Sequence, residues 1–152
     1  MKKLLILLCL ALAPTLASAQ ELDKYIEMLR TDIRTSKVKL ITEAVQMTSE
    51  QSDKFWPLQR EYETELAKLQ DQRIAMIKQY AKDYETMTDA KATSLMNQAL
   101  KLQDQRNALM KKYAGKVSKA VSPVVAARYR QIEGFVQALI DVQIRSEVPL
   151  VP

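Results

Sequence analysis

The residue types that perform most enzyme chemistry are nearly absent from this chain. It contains no His, and its single Cys, Cys9, lies near the amino terminus. Beyond Cys9, this excludes nucleophile–base pairs built on Cys or His, as well as thiolate or imidazole metal sites. The carboxylates Glu61, Glu63 and Glu65 stand two apart, so they point to different sides of a helix. The sequence therefore predicts a protein that is not an enzyme and that has no metal or cofactor site.

Arg73 and Arg106 are the most unusual charged residues, because each falls on an apolar helical stripe. Each has a Leu four positions before it and a Met or Leu three positions after it. These candidate contact residues are Leu69, Arg73, Met76, Leu102, Arg106 and Leu109. One interpretation is a cationic spot on an apolar surface that contacts a client or partner protein. The other is an arginine that lies along the stripe and pairs with Asp104 or Asp71 across a helical hairpin.

The amino-terminal residues have the layout of a secretory signal peptide. Lys2 and Lys3 precede an apolar run at 4–13, and Ala17-Ser18-Ala19 forms a small-x-small cleavage site. The run is too short to cross a bilayer, which takes about 20 residues. We therefore predict cleavage near Ala19, export to the periplasm and no transmembrane segment in the mature chain. The predicted organisation is a signal peptide at 1–19, a helical domain at 20–146 and a short tail at 147–152.

The charge balance excludes one class of partner. Without Lys2 and Lys3, 21 of the 23 basic residues remain against 18 acidic ones. The two signs are interspersed along the chain and form no basic block, so nucleic acid is not a predicted partner.

The elements that must position these side chains are predicted to be helices, because only two Gly occur and apolar residues recur every three or four positions. Four helices are expected, at about 21–45, 48–84 and 88–118, with the fourth opening at Ser122-Pro123 and ending before the tail at 147–152. Thr48 and Gln51 match a capping box, Thr88 matches an N-cap, and Ser122 with Pro123 matches an N-cap followed by proline at the first helical position. Pro57 is expected to loosen the second helix without ending it. In the fourth helix the predicted inner face is Tyr129, Ile132, Val136, Leu139 and Ile140.

One stretch of sequence occurs twice. The fourteen residues KLQDQRIAMIKQYA at 68–81 return as KLQDQRNALMKKYA at 101–114. A turn centred near 86–87 makes the two copies antiparallel and places Gln70 opposite Gln103. This predicts a long helical hairpin whose duplicated segments cross about a local pseudo-twofold axis.

The first cap resembles a known family motif. Met47-Thr48-Ser49-Glu50-Gln51 is similar to the Leu-Thr-x-x-Gln motif of the Spy/CpxP family of bacterial periplasmic proteins, with Met in place of Leu. A second motif of that family is matched by Ser122 and Pro123, although Val125 stands where Gln is expected.

The resemblance implies an all-α fold of four helices with a long antiparallel hairpin, cradle-like and dimeric. It implies a periplasmic stress-response protein that holds unfolded envelope proteins without ATP. The alternative is a regulatory adaptor, without catalysis, for a membrane sensor or envelope assembly; the lack of His disfavours metal sensing. A trimeric basic coiled-coil chaperone is a third possibility, which lacks support because no strand-forming segments are found.

Overall fold

The structure is a computed structural model that describes residues 19–152, with side chains from Thr31 onward. Apart from Ala19, the predicted signal peptide lies outside the described residues. The described residues fall into two compact units, which divide between Val38 and Lys39. The first contributes the helical residues from Ala19 to Val38, and the second contains every site discussed below.

The all-α prediction is confirmed over the described residues, which form four helices and no strand. The helices are α1 (Ala19–Val45), α2 (Ser49–Asp83), α3 (Asp89–Ala120) and α4 (Pro123–Glu147), with a 3₁₀ turn at Tyr84–Thr86 between α2 and α3. As predicted, α2 continues through Pro57 without ending.

Side-chain caps fix three of the helix starts, and all three were predicted. Thr48 Oγ1 accepts from the backbone N–H of Gln51 at 3.2 Å, and Gln51 Oε1 accepts from the backbone N–H of Thr48 at 3.1 Å. This reciprocal capping box satisfies two donors that the first turn of a helix leaves open. Thr88 caps α3 by accepting from the backbone N–H of Lys91, without a reciprocal bond, and Ser122 caps α4 with Pro123 in the first turn.

The end of α1 is fixed by a different device. Gln46 has a φ of 53°, the left-handed conformation that usually closes a helix with Gly. Arg128 Nη1, from α4, donates to the Val45 carbonyl at 3.0 Å and so satisfies one of the acceptors that a helix end leaves open. The α1–α2 connection is therefore held by α4.

Helix α3 packs directly against both α2 and α4. Helices α2 and α4 meet through long side chains. The rings of Phe55 and Tyr129 contact each other near the helix starts. Tyr80 Oη donates to the carbonyl of Pro149, just beyond the end of α4. Since the residue numbers of these partners rise together, α4 runs parallel to α2 and antiparallel to α3.

The core lies at the end of the bundle where α2 and α4 begin. Its buried apolar members are Ile41, Val45, Phe55, Tyr62, Leu66, Leu109, Tyr113, Val117, Val125, Ala126 and Tyr129. The ring of Tyr129 meets those of Phe55 and Tyr62 edge to face, at centroid distances of 5.2 and 6.0 Å. Such geometry adds a specific attraction to the burial of aromatic area. This end therefore fixes how the three long helices meet.

Candidate binding site on the duplicated helices

The two arginines of the repeat converge on one carboxylate of α4. Arg73 Nη1 donates to Asp141 Oδ1 at 2.6 Å, and Arg106 Nη1 lies 3.4 Å from Asp141 Oδ2. Gln137 Nε2, one turn earlier on α4, also donates to Asp141 Oδ1 at 2.9 Å. Arg73 and Arg106 are called the arginine pair below. Asp141 thus joins all three long helices at one point.

Of the two interpretations of these arginines, the one in which they pair with a carboxylate was right in kind and wrong in partner. The sequence reasoning placed Asp104 or Asp71 opposite them across the hairpin, whereas both guanidiniums reach Asp141 of α4. The reason is that α4 lies along the face of the hairpin from which both arginines emerge. A sequence pattern within two helices cannot show which side chain a third helix brings.

The register of the hairpin differs from the prediction by up to one helical turn. The ion pairs Glu65–Lys112 and Glu61–Lys116 join residues whose numbers add to 177, and the contacting rings of Tyr62 and Tyr113 add to 175, where the prediction required 173. The turn lies further along the chain than expected, because the 3₁₀ segment Tyr84–Thr86 carries the chain past Asp83 before α3 begins at Asp89.

This register gives the repeat a simple geometry. A residue and its copy stand thirty-three positions apart, so copies with numbers adding to about 177 lie opposite each other. Gln72 and Gln105 meet this condition, and Arg73 and Arg106 lie next to them. The local twofold axis therefore runs between the two glutamines on one face of the hairpin and between the arginine pair on the other. Asp141 lies where the axis meets α4.

Burial opposes the charge of Asp141, and its neighbours overcome that effect. Desolvation raises the pKa of Asp141, but the hydrogen bonds from Arg73 and Gln137 and the charges of both arginines outweigh it, so the pKa lies below its ordinary value. The side chains of the arginine pair are 25% exposed and that of Asp141 is 22% exposed. The cluster is ionised and partly open to solvent.

The four apolar residues predicted with the arginines have different environments. Leu109 is buried in the core, and Leu69 packs against that core while partly buried. Leu102 and Met76 are half-buried along the hairpin. The structure thus places Leu109 in the interior and leaves Leu69, Leu102 and Met76 partly accessible.

The opposite face of the hairpin carries an open groove of about 590 Å³. It is lined by Glu65, Lys68, Leu69, Gln72, Gln105, Ala108, Leu109 and Lys112. Leu69, Ala108 and Leu109 supply its apolar surface, and the Glu65–Lys112 ion pair borders it. The groove and the arginine pair therefore lie on two sides of the same duplicated segment.

Near the core, the predicted surface carboxylates serve the hairpin. Lys112 Nζ and Tyr113 Oη donate to Glu65 at 2.8 and 2.7 Å, and Lys116 Nζ donates to Glu61 at 2.8 Å. Burial, together with the hydrogen bond to Glu65, raises the pKa of Tyr113 to about 12. These carboxylates accept from fixed donors across α2 and α3, which is a structural arrangement.

A buried polar layer was missed by sequence reasoning. Glu133 is 4% exposed, and its Oε1 accepts from Gln59 Nε2 at 3.4 Å. The Tyr62 hydroxyl also hydrogen-bonds Glu133, and burial followed by the charge of Glu133 raises the Tyr62 pKa. The one available signal was the position of Glu133 four residues after Tyr129, on the inner face of α4.

An apolar strip on the outer face of α4 was also missed. Phe135, Leu139 and Val142 are each more than half exposed and follow one another at spacings of four and three. The prediction that Leu139 faces inward is wrong: Leu139 is 56% exposed. Glu133, Asp141 and the buried Tyr129 set the inward direction of the helix, which turns Leu139 away while Ile140 stays half-buried. Phe135, Leu139 and Val142 are called the α4 strip below.

The motif residues that carry the family resemblance act as caps. Thr48, Gln51, Ser122 and Pro123 start helices, and Met47 packs against the core just before the first cap. Capping by these residue types is common among helical proteins. The motif therefore explains local structure and indicates no binding chemistry of its own.

The described residues contain no group of three or more acidic, Cys or His side chains placed to hold a metal ion. Within the same residues, no helix combines the length and apolar character needed to cross a membrane. The fold and this site define an all-α helical protein organised around a duplicated hairpin. No protein-family model, curated protein or solved structure matches the chain. The resemblance to the Spy/CpxP family therefore stays a prediction.

Proposed function

We propose that this chain is a periplasmic, ATP-independent chaperone-like protein that holds unfolded segments of envelope proteins. The observation that carries the proposal is the α4 strip, in which three large apolar side chains are exposed on one helical face. Unfolded polypeptides expose apolar side chains, and burying these against the strip is favourable and needs no particular sequence. Such contact also needs no catalytic residue.

The surroundings of the strip favour loose and reversible binding. Between Arg130 and Arg145 the only charged residues of α4 are Glu133 and Asp141, and both of these face inward. The outer face therefore offers apolar contact without a charged group that selects one partner. Half-exposed side chains such as Leu139 bury only a fraction of their area on contact, which keeps each contact weak.

The compartment comes from the amino-terminal pattern of basic start, short apolar run and Ala17-Ser18-Ala19. A homodimer and the cradle shape implied by the family resemblance belong to the same proposal.

The test is suppression of aggregation of a chemically unfolded model protein by the chain expressed from its full coding sequence. We expect suppression at comparable molar amounts. The double variant Phe135→Gln, Leu139→Gln should weaken client affinity roughly fivefold, because it removes about 1 kcal/mol of partial burial. Gln is a good helix former, so α4 should stay intact.

The matched control is Leu100→Gln, which removes a similarly exposed leucine from α3. It should leave suppression unchanged. Suppression that is absent at every ratio would contradict the proposal, and equal loss in the control would show that general surface hydrophobicity, not the α4 strip, is responsible. Co-purification from the native envelope separates the adaptor alternative, which predicts a single stoichiometric partner in place of many clients.

A further inference from the structure

We propose that the arginine pair forms a carboxylate-binding site that Asp141 fills only in part, and that an acidic side chain of a held polypeptide binds to Arg106 there. This inference rests on the proposed function and names the chemistry of the segment that is held. The site combines Arg73 of α2 and Arg106 of α3 with Asp141 of α4, close to the local twofold axis of the duplicated helices.

The charges at the site do not balance. Two guanidiniums share one carboxylate, so the cluster keeps one positive charge in a partly buried place. Each guanidinium carries five N–H donors, and among the described residues Asp141 is the acceptor that both use. Most of this donor capacity is therefore left for another acceptor.

The two arginines do not share Asp141 equally. Arg73 Nη1 lies 2.6 Å from Asp141 Oδ1, whereas Arg106 Nη1 lies 3.5 and 3.4 Å from the two carboxylate oxygens. Short charge-assisted hydrogen bonds are much the stronger kind. Oδ1 also accepts from Gln137 Nε2, so it is already crowded. Arg106 is consequently the member of the pair that holds Asp141 weakly and can take a second carboxylate.

The position favours such a ligand. A guanidinium matches a carboxylate in a planar, two-bond geometry, and Asp141 shows that this place accepts the chemistry. Partial burial strengthens a charge pair relative to one in open solvent, while the 25% exposure of the Arg106 side chain leaves a path to it. Of the side chains on the turn side of this cluster in α2, α3 and α4, only Tyr80 is buried. Small local openings there cost little.

The experiment measures binding of two dye-labelled, unfolded apolar peptides by fluorescence anisotropy. One peptide carries glutamates, and its twin carries glutamines at the same positions. The protein is the chain expressed from its full coding sequence, compared with Arg106→Gln, Asp141→Asn and the control Lys111→Gln. Lys111 is an exposed lysine of α3, so its replacement changes the net charge equally outside the site.

We expect the unsubstituted chain to prefer the glutamate peptide, and Arg106→Gln to weaken that binding about tenfold while leaving the glutamine twin unaffected. Asp141→Asn should strengthen binding of the glutamate peptide, because it removes the competing carboxylate. A gain confined to the glutamate peptide cannot come from apolar surface exposed by a damaged fold, because that surface would bind the glutamine twin as well, so the result remains informative if Arg106→Gln lowers stability. The control Lys111→Gln should change either affinity less than about twofold.

Equal binding of both peptides to the unsubstituted chain would overturn the carboxylate site, as would equal effects of Arg106→Gln and Lys111→Gln. In either case intact suppression of aggregation would leave the proposed holding function standing. Failure of both peptides to bind, together with no suppression, would overturn both proposals.

Discussion

Each end of the helical bundle holds one carboxylate of α4 between helices, but the two ends do so with different chemistry. The two carboxylates, Glu133 and Asp141, lie eight residues apart. The capped end comprises α2 to Leu69, α3 from Asn107 and α4 to Glu133, and the turn end comprises the remainder of these three helices. At the capped end, the buried carboxylate of Glu133 accepts from neutral donors. At the turn end, the partly exposed carboxylate of Asp141 is held by the arginine pair. The first arrangement depends on exclusion of water, and the second tolerates water.

Burial follows the same division. The aromatic cluster of Phe55, Tyr62 and Tyr129 lies at the capped end, whereas Tyr80 is the one buried side chain at the turn end. Tyr80 Oη donates to the Pro149 carbonyl at 3.0 Å, which ties the chain beyond α4 to α2. A segment held by a few polar contacts opens more easily than one held by a packed core.

This difference places rigidity and binding in separate parts of the molecule. The core fixes the helices near Thr48 and Ser122, while the α4 strip and the arginine pair lie mainly toward the turn end. A protein that adapts to many clients needs a surface that can rearrange without unfolding the whole. The comparison predicts that substitutions at the two ends differ in kind as well as in size.

The largest expected effect comes from emptying the core at the capped end. Phe55→Ala removes a fully buried ring that contacts Trp56 and Tyr129, and it should destabilise the chain by about 3–5 kcal/mol. The matched change at the turn end, Met76→Ala, should cost only about 1 kcal/mol because Met76 is half-buried. Urea unfolding followed by far-ultraviolet circular dichroism measures both.

Leu150→Ala serves as the control for this pair, since Leu150 is almost fully exposed and its loss should change stability little. If Met76→Ala costs as much as Phe55→Ala, the turn end carries an equal share of the core and the comparison fails.

The parts of this fold that could be predicted are those decided by neighbours in sequence. The helix starts at Thr48, Thr88 and Ser122 follow from a side-chain oxygen and a backbone N–H three residues later, so a local pattern is sufficient. The long hairpin follows from apolar spacing and from the lack of Gly and Pro within both copies of the repeat.

The parts that could not be predicted depend on distant residues. The partner of Arg73 is set by the placement of α4, sixty-eight residues away, and the hairpin register is set by a short 3₁₀ turn. The prediction for Leu139 was wrong and Glu133 was missed for one shared reason. Apolar residues occur on both faces of α4, so hydropathy alone does not show which face turns inward, and a buried Glu was not considered.

The second prediction concerns the buried carboxylate. Glu133→Ala should cost about 2 kcal/mol, because Gln59 Nε2 and the Tyr62 hydroxyl lose an acceptor where water does not readily reach them. Asp141→Ala at the turn end should cost less than about 1 kcal/mol, since solvent can reach the arginine pair. Urea midpoints of the two variants compare the ends directly. A larger cost for Asp141→Ala would reverse the assignment of the rigid end.

The smallest expected effect is the acid dependence of stability. Hydrogen bonds from Lys112 and then Tyr113 lower the pKa of Glu65 below the ordinary 4.5. A carboxylate whose folded pKa is depressed stabilises the fold above its unfolded pKa and loses that contribution as pH falls through the folded pKa. Stability should therefore decline below about pH 4.5. At about pH 6 the variant Glu65→Gln should be less stable than the unsubstituted chain, and its stability should fall less steeply as the pH is lowered to about 3. Urea midpoints over this range measure both.

Asp141→Asn provides the turn-end counterpart, because the ordinary pKa of Asp141 is 3.8 and its folded value is lower still. Its effect on the acid decline should appear at lower pH than that of Glu65→Gln. Because the turn end has few buried side chains, we expect it to open locally before the whole chain unfolds. As pH falls and Asp141 is protonated, amide hydrogen exchange in α4 after Gly134 should therefore become faster before the global urea midpoint moves. Exchange that rises together in α4 before and after Gly134 would show one cooperative bundle, and the distinction between its two ends would then be limited to side-chain chemistry.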